Sequence, residues 1–383
     1  MGQRDPEQEE PAESLASRLR ARIQREGAIT FRDWMAAALY DEQAGYYCRR
    51  DLPRWGRTGD YRTSPERSPL FASTFASYFA GLYEELGAPE VFNILEAGAG
   101  AAHFARVLLE TFQSRFPHLF AATRYLVDEA SEDARQRAAE RLAPFAARVE
   151  FRRLDEIETA FDDGIIFANE LLDAFPVHRV RMREGKLMEL YVTLGPAEDF
   201  RLIEREPSTP RLASYFERVG VRLREGHLAE INLEAEGWMR RAASVLGGGY
   251  LILVDYGLEA AELYRAPHRR QGTLRAFHHH RLADDPLARP GEQDLTTTVD
   301  WTHILKAGEA LGLRPVLFER QDRFLLRAGL LDQLELMTSE MKSEAEALAL
   351  RTGARELILP GRMSESFQVL VQQISKDVSD KRG

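Results

Sequence analysis

The run Asn93 to Ala102 reads NILEAGAGAA, an apolar stretch that ends in an acid, Glu96, and two closely spaced glycines, Gly98 and Gly100. Glycine has no Cβ, so such a turn lets the backbone come up against a ligand without a clash. Ligands of open parallel sheets bind beyond the carboxyl ends of the strands, where the first loop meets its helix. A ligand with a ribose also needs a carboxylate at the end of the second strand, and Asp128 and Glu129 stand there. Successive strand residues face opposite ways, so one of the two is expected to reach the ribose, or one simply caps the helix that follows. A third polar group, Asn169, Glu170 and Asp173, comes after the fourth apolar run, on the same edge as the glycines. If a helix starts there, Glu170 and Asp173 share a face; otherwise Asn169 or Asp173 caps a turn before Pro176.

The elements that position these groups alternate. Strands are expected at Val91–Glu96, Tyr125–Asp128, Val149–Phe151, Gly164–Ala168 and the GGYLILVDYG run, with helices between them, including Glu230 to Leu246. This alternation predicts an α/β fold, a doubly wound and mostly parallel sheet covered on both faces. SFQVLVQQI can add a final strand. Val177 to Leu202 reads as extra strands around a Glu184–Gly185 turn, an insertion over about residues 177–230. Before the sheet, residues 14–90 form a helical region: Ser14 to Glu26, a helix capped by Thr30, and Leu70 to Leu86. Its loop Gly45 to Pro69 is long for a passive connection. Residues 1–13 are an acidic tail expected to be disordered, and residues 91–383 hold the sheet with its additions.

The 383 residues carry a net charge of −10, which argues against a partner held through phosphates. A single cysteine, Cys48, excludes an internal disulfide and a cysteine metal cluster, and suggests a reducing compartment. The acidic start resembles neither a signal nor a transit peptide, and no run approaches a membrane span, so a cytoplasmic chain is expected. His278, His279 and His280 are adjacent, a spacing from which three imidazoles do not easily converge on one metal ion.

The glycine turn fits the ExGxGxG form of class I methyltransferases better than the dinucleotide fingerprint GxGxxG, since His103 stands three residues after Gly100. GDYRTSPE (Gly59 to Glu66), NELLDAFPV (from Asn169) and PGEQDLT, in this order, are more specific. With ITFRDWMAAALYDEQAGYY and LILPGRMSESFQVL, they make the chain, from about Ile29 to Leu370, resemble the MidA or complex I assembly factor 7-like methyltransferases. It departs from that pattern at Ala102, where the family carries glycine, and at Thr298, where it usually carries histidine.

The resemblance implies a class I methyltransferase fold with S-adenosyl-L-methionine as methyl donor, held by Glu96, Gly98, Gly100, Asp128 and Glu129. It also implies a protein arginine as acceptor, in a respiratory-complex subunit by analogy with mitochondrial relatives. Asn169, Glu170 and Asp173 would then be catalytic, the carboxylates clamping a guanidinium. Asp60, Tyr61, Glu66 and Asp255 would line the acceptor side. Two alternatives stay open at this level: an assembly factor or binding module that keeps the fold with little turnover, favoured by Ala102, and a nicotinamide-dependent oxidoreductase.

Overall fold

A computed structural model describes residues 14–49, 64–278, 281–359 and 366–375. The expected acidic tail, residues 1–13, lies outside them, as do Asp60, Tyr61, His279 and His280.

Seven strands form the central sheet: β1 (Phe92–Ala97), β2 (Thr123–Asp128), β3 (Val149–Phe151), β4 (Gly164–Asn169), β5 (Gly249–Leu258), β6 (Arg314–Arg320) and β7 (Phe367–Ile374). Their order is β6-β7-β5-β4-β1-β2-β3, and the short strand Val299–Asp300 pairs with the end of β5. The first five are parallel, whereas β7 runs antiparallel to both β5 and β6. Helices and a doubly wound order make this the class I methyltransferase fold. Every residue of β1 is buried, as expected of a strand covered on both faces. The carboxyl ends of β1, β2, β4 and β5 all open on one side, which fixes where a site can form.

One face of the sheet packs on an aromatic cluster. Helix Pro69–Glu85, started by the Ser68 cap, contributes Phe71, Phe75 and Phe79. Phe104, from helix His103–Arg115, stacks on Phe167 of β4 with ring centroids 4.3 Å apart. Each fully buried phenylalanine contributes roughly 1.5–3 kcal/mol, so this cluster anchors the N-terminal helical region to the strand that carries Asn169.

The insertion is a separate antiparallel sheet. His178–Arg183 and Lys186–Leu194 flank the expected turn, whose Glu184 and Gly185 have φ of 52° and 74°. Phe200–Arg205, Leu228–Ile231 and the two-residue strand Ile29–Thr30 complete it.

Two expectations fail locally. The helix expected from Glu230 starts at Glu234, because Leu228–Ile231 pairs with the strand at 178–183 and Asn232 Oδ1 then accepts the Ala235 N–H. Nor does a helix follow β4: Glu170 is left-handed (φ 53°), and the chain makes only a 3₁₀ turn over Leu172–Ala174. Glu170 and Asp173 therefore do not share a helical face. At Thr30 the expected cap is present, its Oγ1 accepting the Asp33 N–H at 3.1 Å.

Candidate active site

The glycine turn is built by backbone bonds between neighbouring strands. Gly98 N–H donates to the Asp128 carbonyl at 2.8 Å, and Ala102 N–H to that of Ala99 at 2.9 Å. Gly98 and Gly100 take φ of 68° and 54°, a region that costs a residue with a Cβ roughly 1–2 kcal/mol. A Cβ on Gly98 would also lie 3.0 Å from Leu171 Cδ1, a tight contact that the leucine side chain would have to yield to.

Beyond the strand ends lies a cavity of about 1000 Å³. Its wall carries Glu96 to Ala101, Asp128 to Ser131 and Asn169 to Leu171, so residues far apart in sequence meet as expected. Glu129 is turned toward the glycine loop, accepting the Gly100 N–H at 2.8 Å and the Ser131 N–H at 2.7 Å. Asp128 instead pairs with Arg153 at 2.9 Å, and burial raises its carboxyl to about 6. Glu96 is buried and accepts the Tyr125 hydroxyl at 2.7 Å; burial pushes its carboxyl up to about 8. It is a neutral acid at neutral pH.

The segment after β4 is pinned from beneath. Asp255 is buried under it, and its Oδ2 accepts the N–H groups of Leu172 at 2.9 Å and Asp173 at 3.3 Å. Asp255 is absent from the cavity wall, so it shapes the turn and does not face an acceptor. Asp173 does reach the wall. Burial first, and then the charge of Glu170, hold its carboxyl up at about 7. Asn169 donates to Glu170 Oε1 at 3.2 Å, which leaves its own Oδ1 buried with no hydrogen-bond partner. Glu66 also reaches the wall, with one oxygen 3.7 Å from His103 Nε2.

Sequence reasoning missed Tyr40 and Tyr47. Both line the cavity, with rings 5.4 Å apart; Tyr40 donates to the Ala174 carbonyl at 3.0 Å and Tyr47 to Asp294 Oδ1 at 2.7 Å. The aromatic run ALYDEQAGYY was the available signal, but nothing in its spacing places it against Ala174. Asp294 lies on the wall, whereas Gln293 is engaged with its own loop at Asp285 and Arg289. Arg275 lies 4.6 Å over the Tyr256 ring and donates to Thr298 Oγ1 at 3.0 Å, which gives Thr298 a concrete place in the wall. Ala102 is fully buried and off the cavity, so its methyl enters the aromatic core and no ligand space. His278 Nδ1 is 2.9 Å from the Glu292 carbonyl.

A tight glycine turn, a carboxylate just past the second strand and a buried carbonyl oxygen without a donor suit an adenosyl ligand with an amino-acid end. Fold and cavity together define a class I S-adenosyl-L-methionine-dependent methyltransferase. Residues 74–318 match the model of a family described as "Putative S-adenosyl-L-methionine-dependent methyltransferase". The protein arginine methyltransferase NDUFAF7 homolog, mitochondrial, of Drosophila melanogaster is 28% identical over 93% of this chain and 84% of its own. Human protein arginine methyltransferase NDUFAF7, mitochondrial, is 24% identical over 94% and 83%. A crystal structure from Burkholderia thailandensis, described as a "likely methyl transferase" bound to S-adenosyl-homocysteine, is 31% identical. It covers 94% of this chain and 91% of that one, with a TM-score of 0.84. The chain belongs to this family of S-adenosyl-L-methionine-dependent methyltransferases, and the nicotinamide alternative falls.

One expectation is corrected by the same relatives. They are named as mitochondrial proteins, which overturns the cytoplasmic expectation. A single cysteine and an acidic start describe a chemical environment and not an address, so composition lacked the power to decide it.

Proposed function

We propose that the chain methylates arginine side chains of a protein, with Glu170 and Asp173 as the guanidinium clamp. The observation that carries this reading is that Glu170, Asp173 and Asp294 all line the cavity, Glu170 close enough to raise the Asp173 carboxyl and Asp294 bonded to Tyr47, whose ring pairs with that of Tyr40. Carboxylates form paired, charge-assisted bonds to a planar guanidinium, and aromatic faces favour a cation. The relatives named as protein arginine methyltransferases support the same acceptor.

In this reading Gly98 and Gly100 give the cofactor close backbone approach, Glu129 accepts from its ribose hydroxyls, and the Asn169 carbonyl oxygen takes a donor at its amino-acid end. Asp128, engaged by Arg153, borders the same pocket; Glu96 supports the turn from below through Tyr125. The bound cofactor supplies an electrophilic methyl group. The protein's part is to hold the attacking nitrogen in line and exclude water. Glu170 and Asp173 draw the positive charge of the guanidinium toward themselves, and Asp173, near pH 7, can take the proton that the methylated nitrogen gives up. Glu66 borders the cavity beside His103.

The test is incubation with labelled donor and cell lysate, followed by amino-acid analysis of the labelled protein. Methylarginine is expected from the native chain. Glu170→Gln is expected to lose transfer by at least about 100-fold while binding S-adenosyl-homocysteine as before. Label on another residue type, or undiminished turnover by the variant, would move the chemistry elsewhere.

A further inference from the structure

Among the described residues, four arginines line the cavity, and three of them face carboxylates. Arg153 pairs with Asp128 at 2.9 Å, Arg269 with Glu262 at 3.8 Å, and Arg67 with Glu356 at 4.0 Å. The fourth, Arg275, has no carboxylate oxygen within 4.0 Å among the described residues. Its guanidinium lies on the face of Tyr256 and donates to the Thr298 hydroxyl. Its charge also acts on Asp173, without a direct ion pair; a half-buried guanidinium whose direct contacts are a ring and a neutral hydroxyl is stabilised less than one touching a carboxylate. It is also held in place, since strand Arg275–His278 pairs with Asp294–Thr296 and Thr298 N–H donates to Thr273 Oγ1.

We infer that Arg275 is a specificity-determining residue that binds a carboxylate of the acceptor protein, an acidic side chain close in sequence to the methylated arginine. This rests on the arginine-methylation reading above. The cavity then carries both signs of charge: Glu170, Asp173 and Asp294 for the guanidinium, and Arg275, whose charge also acts on Asp173, for the acid beside it. The other carboxylate that enters this cavity is on the cofactor's amino-acid end. Tyr256, under the Arg275 guanidinium, lies near the end of β5, two strands from the glycine turn of β1 but beside β4, whose Asn169 meets the cofactor's amino-acid end in the reading above, so the test has to separate the two carboxylates.

The test starts from the arginines labelled in lysate, mapped by mass spectrometry. Peptides spanning one mapped site are made in native form and with the neighbouring Asp or Glu changed to Asn or Gln. Each is assayed with native enzyme, Arg275→Met and Arg275→Lys, and each enzyme is titrated with S-adenosyl-homocysteine by calorimetry. An acid within about three residues of the mapped arginine is expected, as a charged hydrogen bond reaches only a neighbouring side chain. Neutralising it should lower kcat/KM at least about tenfold in the native enzyme, and by less than about twofold in Arg275→Met. Arg275→Lys, which keeps the charge and guards against a misfolded methionine variant, should retain the discrimination.

Mapped arginines without neighbouring acids, or equal losses in native enzyme and Arg275→Met, overturn the inference and leave arginine methylation standing. A tenfold loss of S-adenosyl-homocysteine affinity in Arg275→Met, with Arg275→Lys unaffected, assigns the cation to the cofactor and overturns it too. If native enzyme binds the cofactor product but labels no arginine, the arginine reading itself falls, and this inference with it.

Discussion

Two acids in the cavity carry the clearest consequences at the level of single residues. Asp173 must be ionised to hold a guanidinium, and burial beside Glu170 keeps it protonated up to about pH 7. Methyl-transfer kcat/KM should therefore rise about tenfold per pH unit below 7 and level off above it, as a profile of the free enzyme. A profile flat from pH 5.5 to 8 would exclude Asp173 as the titrating group. Glu96 behaves differently. The folded chain keeps its proton to about pH 8, against an ordinary value of 4.5, so between these values the unfolded chain binds fewer protons and stability falls as pH rises. Glu96→Gln keeps an acceptor for Tyr125 and removes this dependence. It should melt like the native chain near pH 5 and above it at pH 8 to 9, and parallel melting curves across that range would refute the assignment.

Ala102 and the turn after β4 show what an element decides. Ala102 opens helix His103–Arg115 with φ 57°, ψ 39°, where glycine is better by roughly 1–2 kcal/mol. Its methyl is buried in the aromatic core, however, worth about 0.8 kcal/mol, and glycine adds chain entropy of about 0.5–1 kcal/mol to the unfolded state. These effects nearly cancel. Ala102→Gly should shift the melting temperature by no more than a few degrees and leave S-adenosyl-homocysteine affinity unchanged. A tenfold change in affinity would show that position 102 reaches the ligand after all. The departure from the family's glycine therefore gives no ground for reading the chain as a binding module without turnover. The turn after β4 was legible only in part: NELLDAFP shows three polar residues before a proline, but the left-handed Glu170 depends on Asp255, 82 residues from Asp173, accepting the backbone N–H groups beneath it.

At the scale of the whole molecule, a buried ion pair ties the insertion to the cavity. Arg179 and Glu230, on adjacent strands of the inserted sheet, meet at 3.1 Å, and Glu230 also accepts the Thr273 N–H at 2.7 Å on the cavity wall. Arg179→Met leaves Glu230 buried without its cation and should cost about 3–5 kcal/mol in urea unfolding, most of it regained in the double variant with Glu230→Gln. A cost under about 1 kcal/mol would mean that water already reaches the pair. By itself the sequence determined the strand and helix alternation, the glycine turn and the acids at the strand ends, because periodicity and glycine geometry are local properties. The motifs also carried the family resemblance. The tertiary structure alone decided that Tyr40, Tyr47 and Arg275 join the cavity, that Asp255 supports the site from behind, and that Glu129 faces the glycine loop while Asp128 faces Arg153. Those outcomes depend on contacts between segments distant in the chain, and spacing along the sequence holds no record of them.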